Sequence, residues 1–384
     1  MIELWATLRV PPNGTSPMHY RPLLPFLAAL PLWASAQSTL QDVRIAAPLN
    51  ALQGGWEAGA AERNAAQWQQ AGTSAPANAA VQWNYFQSEY AALNSRNGGV
   101  VGQQGREELA AIAGAIKADA PNSFERHMAD YYVAFPAPSA FADLEQAYLL
   151  APDRAELASP MLSMALRDGD AAAVDRWSAV LDRQHLIAPA LAQVAADVLL
   201  CLPDKAVLFV NGEMDTQPLV VRQALQKVKP GVLVVDRRLL ADSAYRARLW
   251  KQAGGHGEPP PDSPAFASAL IAAGKLPVYF ALSLARSWLD AFPGQLHATG
   301  AVFRVGAPSP ADAAALARNW AAMAKPANAG PFSRNYLLPG AMLLKQARQQ
   351  GRTDEAARLE QELRALADST GTLGQLHQLG ILPH

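Results

Sequence analysis

The chain has one cysteine, Cys201, among 384 residues. That excludes an intramolecular disulfide framework and any zinc site built on several thiolates. Charge of one sign is also lacking. Lys and Arg number 32 against 33 Asp and Glu, for a formal net charge of −1 and a pI near 6.7. Nucleic-acid binding draws on a basic excess, so no nucleic-acid partner is expected. The sequence has no glycine-rich dinucleotide or Walker loop, no G-x-S-x-G elbow and no H-E-x-x-H pair. His127, His185, His256 and His297 lie far apart and show no ligand spacing, so neither a metal nor a cofactor is expected. Hydrophobic residues make up 50% of the chain and charged residues 17%, which is the composition of a globular protein rather than a disordered one. The length suits one large domain or two to three modest ones.

Long apolar runs are scarce, and the one present lies near the start. Arg21 precedes an apolar stretch from Leu23 to Trp33, and Ala34, Ser35 and Ala36 form an A-x-A site. A charged n-region, a short h-region and small residues at a cleavage point make up a secretory signal peptide. The run is shorter than the roughly 20 residues of a membrane-spanning helix, and Pro25 and Pro31 interrupt it. The expectation is cleavage after Ala36, a periplasmic or secreted mature chain and no transmembrane span in it. Residues 1–36 are then the signal region, with Met18 as an alternative start to Met1.

Residues 37–200 read as helical, being rich in Ala, Leu, Gln and Glu. Within them 140–182 resembles a tetratricopeptide-type helix pair through Ala140, Phe141, Leu144, Ala147, Leu150 and Pro152, then Ala165, Gly169, Asp170 and Trp177. A second partial match covers 334–367, with Tyr336, Leu338, Ala341, Leu344, Gly351, Ala356, Leu359 and Leu363. Such units need stacked neighbours. Two isolated ones are therefore expected to pack on the middle of the chain, and 311–384 reads as a C-terminal helical segment.

The middle, 201–310, reads differently. Apolar runs at 206–210, 232–236 and 277–281 alternate with helices at 217–227, 241–252 and 265–273, and a short helix at 284–291 precedes further apolar runs around 296–305. Strands alternating with helices predict a parallel sheet with right-handed crossovers. Fully apolar strands suit a sheet covered on both faces. The fold class expected is α/β: a small, mainly parallel Rossmann-like sheet of about three strands plus a terminal strand or hairpin, flanked by tetratricopeptide-like helices.

The stretch Leu208, Phe209, Val210, Asn211, Gly212, Glu213, Met214, Asp215, Thr216, Gln217, Pro218, Leu219 resembles the LFxNGDxDTxPLW segment of bacterial protein O-mannosyltransferase-like membrane proteins, in their soluble C-terminal region. Val234, Val235 and Asp236 with Leu239, Leu240 and Tyr245, and then Lys275 to Ala281, are similar to two further motifs of that family in the same order. Glu213 stands where the family has Asp, Gln217 where it has Phe, and Val220 and Val221 where it has Trp-Tyr. The resemblance covers about residues 200–310. It implies a link to envelope glycosylation but carries no activity, because the transferase machinery of that family is expected in its membrane-spanning half.

The candidate ligand site is the loop after the first strand, at the edge where open α/β sheets bind ligands. It offers Asn211, Glu213, Asp215 and Thr216, with Arg237 after the second strand reaching the same edge. Two carboxylates suit a cation, an amine or a sugar hydroxyl. The plainer alternative is helix capping by Asp215 or Thr216, with Pro218 in the first turn. Arg237 and Arg238 are expected to pair with Glu213 or Asp215, or to hold an anion. Cys201 reads as a small buried hydrophobe. Three functional readings stay open: a binding or scaffold module of the cell envelope with a protein or glycan partner, an envelope enzyme using Glu213 and Asp215, and a structural accessory to glycosylation.

Overall fold

A computed structural model describes residues 45–48, 50–56, 59–96 and 101–383; the signal region lies outside them. Helices dominate. Before the sheet come α1 (Ala60–Ser74), α2 (Ala79–Arg96), α3 (Gln103–Asp119), α4 (Phe124–Ala134), α5 (Pro138–Leu150), α6 (Ala158–Asp168), α7 (Ala171–Arg183) and α8 (Pro189–Leu200). The central region alternates β1 (Lys205–Val210), α9 (Glu213–Gln226), β2 (Gly231–Asp236), α10 (Ser243–Gln252), α11 (Pro264–Ala273), β3 (Val278–Ala281), α12 (Arg286–Leu289), β4 (Leu296–Ala298) and β5 (Val302–Val305). It is followed by α13 (Ala311–Ala322), α14 (Leu337–Gln349), α15 (Thr353–Ser369) and α16 (Leu373–Gln378). Among the described residues no helix is long and apolar enough to cross a membrane.

The five strands run in the order β2-β1-β3-β5-β4. β1 pairs in parallel with β2 and β3, but β5 is antiparallel to both β3 and β4. The sheet is therefore mixed, which corrects the expectation of a mainly parallel one. Only residues 299–301 separate β4 from β5, whereas a parallel connection needs a dozen or more residues. That pair must close as a hairpin.

Both sheet faces are covered, as the apolar runs demand. On one face Val207, Phe209, Val235, Val278 and Phe280 join a core cluster that extends into α2–α7 and α10–α12. Phe209 lies at its centre, with ring centroids 5.6 Å from Phe280 and 5.6 Å from Trp288. On the other face Ala206, Leu208, Val210, Tyr279 and Val302 join side chains of α8 and α13–α16. The N- and C-terminal helical parts thus share their cores with the sheet.

The helix pairing differs from the one expected for 140–182. α5 packs against α4, and α6 against α7. Gly169, with φ +74°, ends α6, and Asp170 caps α7 by accepting from the Ala173 amide at 3.0 Å. At the other end α14 and α15 pack closely across Gly340, where a Cβ would sit 2.7 Å from Leu363 and Trp320.

Candidate functional site

The crossover from β1 through α9 to β2, followed by the return past β1 to β3, makes the carboxyl ends of β1 and β3 the topological switch point of the sheet. Asn211 and Gly212 leave β1 there. α9 begins at Glu213, four residues earlier than the sequence suggests, so Pro218 lies inside the helix rather than in its first turn. Gly212 has φ 173°, an extended conformation, so it makes no left-handed turn.

Asp215 is held on three sides. Its carboxylate accepts from the amides of Asn211 at 3.0 Å and Gly212 at 2.9 Å, and from the Ser283 hydroxyl just beyond β3. It is not the N-cap residue but reaches back from the first turn to the loop amides. The Ser283 contact joins the two sides of the switch-point crevice. Between α8, α9 and the 3-10 turn Gly330–Tyr336 this leaves a cavity of about 20 Å³, lined by Val194, Val198, Met214, Ala281 and Phe332 with Asp215 and Ser283. Such a space holds about one water. Burial raises the Asp215 carboxyl above its ordinary value, against the Ser283 and backbone hydrogen bonds that favour the charge.

Glu213 points elsewhere. Residues two apart on a helix do not face each other, and its carboxylate Oε2 accepts instead from the Ser159 hydroxyl of α6 at 3.2 Å. The two carboxylates therefore do not act on one point. Glu213 is half-buried. Burial raises its carboxyl, Arg238 and Ser159 oppose that, and Asp236 adds to it. Glu213 in turn adds to the burial that raises the phenols of Tyr90, Tyr131 and Tyr132, which places its charge near this cluster. Tyr90 and Tyr132 have centroids 4.9 Å apart, and Tyr131 meets Tyr132 edge-on at 5.1 Å.

The two arginines divide the edge between them. Arg238 does not pair with Glu213 or Asp215. Its guanidinium binds Asp236, with Nη2–Oδ2 at 2.7 Å and Nε–Oδ1 at 3.1 Å, and lies 4.9 Å over the Phe135 ring. Burial alone would pull the Arg238 guanidinium down, but Asp236 outweighs it and the net direction is up. Arg237 makes no ion pair among the described residues. Its amide donates to the Val210 carbonyl at 3.1 Å, its Nε donates to Asn211 Oδ1 at 2.5 Å, and burial lowers its guanidinium. Thr216 is buried with its hydroxyl unpartnered among the described residues and caps nothing.

Four of the five candidate residues thus fall into two groups, and Thr216 belongs to neither. Asn211, Asp215 and Arg237 lie at the switch point. Glu213 faces a second corner with Arg238, Phe135, Ser159 and the three tyrosines. Sequence reasoning missed Ser159, Ser283 and the tyrosine cluster. Tyr131 and Tyr132 were legible as helix residues, but nothing in the sequence ties α2, α4 and α6 to the sheet edge.

Elsewhere His127 Nδ1 lies 2.8 Å from Asp143, and His297 Nε2 lies 3.0 Å from the Gly306 carbonyl. No group of three or more His, Cys, Asp or Glu among the described residues is placed to hold a metal. Cys201 is buried, 3.7 Å from Met323 Sδ, and burial pushes its thiol up to about 12. Comparison of the chain with protein-family models, curated proteins and solved structures finds no match.

Proposed function

We propose that the chain is an exported binding module of the cell envelope that takes a glycan at the Glu213–tyrosine corner, in the service of envelope glycosylation. The observation that carries this reading is a half-buried carboxylate whose second oxygen, Oε1, has no hydrogen-bond partner among the described residues, and whose charge helps raise the phenols of Tyr90, Tyr131 and Tyr132. A carboxylate acceptor in the neighbourhood of the partly exposed Tyr90 and Tyr132 suits the hydroxyl-studded but partly apolar surface of a sugar ring. The A-x-A at 34–36 supports export. Binding is favoured over catalysis because the other carboxylates near Glu213 are committed: Asp215 to the loop amides and Ser283, and Asp236 to Arg238.

The test is titration of the full chain against neutral, acidic and amino oligosaccharides. Wild type is expected to bind at least one class, and Glu213→Gln to lose about tenfold or more, the order of one hydrogen bond to a charged group. A folded wild type that binds none of them overturns the reading.

A further inference from the structure

Gln217 lies one turn along α9 from Glu213, is 1% exposed, and belongs to neither group of candidate residues. Its side-chain amide settles where a proton goes. Nε2 is 2.9 Å from the backbone carbonyl oxygen of Ser159. A carbonyl only accepts, so the amide must present its nitrogen there and cannot be flipped. The same Nε2 is 2.7 Å from Ser159 Oγ, which therefore accepts from it. The Ser159 proton is left to be donated, and the carboxylate Oε2 of Glu213 at 3.2 Å is there to accept it. The direction of the chain is fixed at every link, from amide to hydroxyl to carboxylate. The Ser163 hydroxyl donates to the Ser159 carbonyl at 3.3 Å and lies 3.4 Å from Gln217 Nε2 as a longer third acceptor, so it does not compete for the Ser159 proton.

We propose that Gln217 is a positioning residue which, through Ser159, presents Glu213 to ligand as an ionised acceptor with Oε2 satisfied and Oε1 free. The inference rests on the glycan reading for its ligand but not for its geometry. Gln217 also ties α9 to α6, and so joins the helical part that supplies the tyrosines to the helix that supplies Glu213. Its Oε1 has no partner among the described residues. The amide thus holds Ser159 while leaving its own buried acceptor unmet, a cost that a purely packing residue such as Leu would not carry.

The charged and titratable groups facing Glu213 are Arg238 and Asp236 from the end of β2, the phenols of Tyr90, Tyr131 and Tyr132 from α2 and α4, and the Ser159 hydroxyl from α6. Among them only Ser159 hydrogen-bonds its carboxylate. Releasing Ser159 from Gln217 lets the hydroxyl turn away, and the ionised form of Glu213 loses that donor.

The experiment follows the Glu213 carboxyl titration by carbon NMR in the full chain, with Glu213→Gln identifying the resonance. Ser159→Ala and Gln217→Met are each expected to raise the midpoint by roughly half a pH unit or more, as loss of a hydrogen bond to a charged form does. The double variant should shift it no further than Ser159→Ala alone. A merely structural Gln217 would lower the melting temperature and leave the midpoint in place. A folded Gln217→Met with an unmoved midpoint overturns the proposal. Should that variant not fold, an unmoved midpoint in Ser159→Ala overturns it equally. The titration needs no ligand, so absence of glycan binding with the midpoints shifted refutes only the glycan reading.

Discussion

Asp215→Asn separates a carboxylate that builds the loop from one that merely caps a helix. At an N-cap, Asn replaces Asp with little change. Asp215 uses both oxygens: Oδ1 takes the Gly212 amide, and Oδ2 takes the Asn211 amide and the Ser283 hydroxyl. Asn has one acceptor oxygen, so its NH₂ must face a backbone N–H or the Ser283 hydroxyl. One donor is left unmet, and the remaining bonds lose their charge. Each hydrogen bond to a charged group contributes about 1.5–3 kcal/mol. Part of this is offset because the substitution also removes a carboxylate whose ionisation burial disfavours. The net expectation is a loss of about 1–3 kcal/mol for Asn, and about 2–4 kcal/mol for Ala, which leaves three donors unmet. Urea denaturation at pH 7 measures it as a lower midpoint at unchanged slope. Ser283→Ala should cost about 1 kcal/mol alone and less on the Asp215→Asn background, because the two side chains share one bond. An Asp215→Asn midpoint equal to wild type, with Ala destabilised, would falsify this account and reduce Asp215 to a cap.

Three further outcomes follow from the same structure. Asp197→Ala should cost about 3 kcal/mol in urea denaturation, since it strips the acceptor from the Ala324 and Lys325 amides and the Tyr336 hydroxyl in a buried setting; a change near zero would show that water replaces it. Glu213→Gln should melt above wild type at pH 7, with the gap closing as pH falls. Burial raises the folded carboxyl, so the folded state holds the proton more tightly than the unfolded chain, and stability declines as pH rises from the unfolded to the folded titration point; a gap that widens toward acid contradicts this. A 201–310 fragment should aggregate, because it bares both sheet faces that the flanking helices cover, and a monodisperse, cooperatively melting fragment would show that the sheet stands alone.

The alternation of apolar runs and helices in 201–310 was legible because each strand is covered on both faces and each helix repeats at its own period. All three predicted parallel-type runs became β1, β2 and β3 within a residue or so. The hairpin at 296–305 was legible as apolar sequence, but its effect on the sheet was not. Direction follows from the short 299–301 connection, whose ends only a strand assignment reveals. The helical flanks were read correctly as helices, but their pairing was not, because Ala-rich helices fit several partners equally well. At the site the sequence placed Glu213 and Asp215 on one loop, and two residues of spacing looked like a pair. Once α9 starts at Glu213, the same spacing turns them apart. Ser283 lies 68 residues beyond Asp215 and Ser159 lies 54 before Glu213, separations at which no local pattern carries a contact.

The position of the proposed corner follows from how the chain is divided. Glu213 comes from the start of α9 and Arg238 from the turn after β2, whereas Ser159 comes from α6, Tyr90 from α2, and Tyr131, Tyr132 and Phe135 from α4 and its end. Neither part contains the corner alone. The sheet edge without the helices would lack Ser159 and the tyrosines, and the helices without the sheet would lack Glu213. Burial is what perturbs Glu213, and docking of the N-terminal helices supplies that burial. The neighbouring carboxylate shows the alternative outcome. Asp215 is equally removed from water, but three donors meet it across both oxygens, so it joins loop to strand and most of its accepting capacity is committed within the fold. Glu213 has one donor and a free oxygen. Of the two acids at the start of α9, the one the fold leaves less satisfied is the one proposed to recognise a ligand.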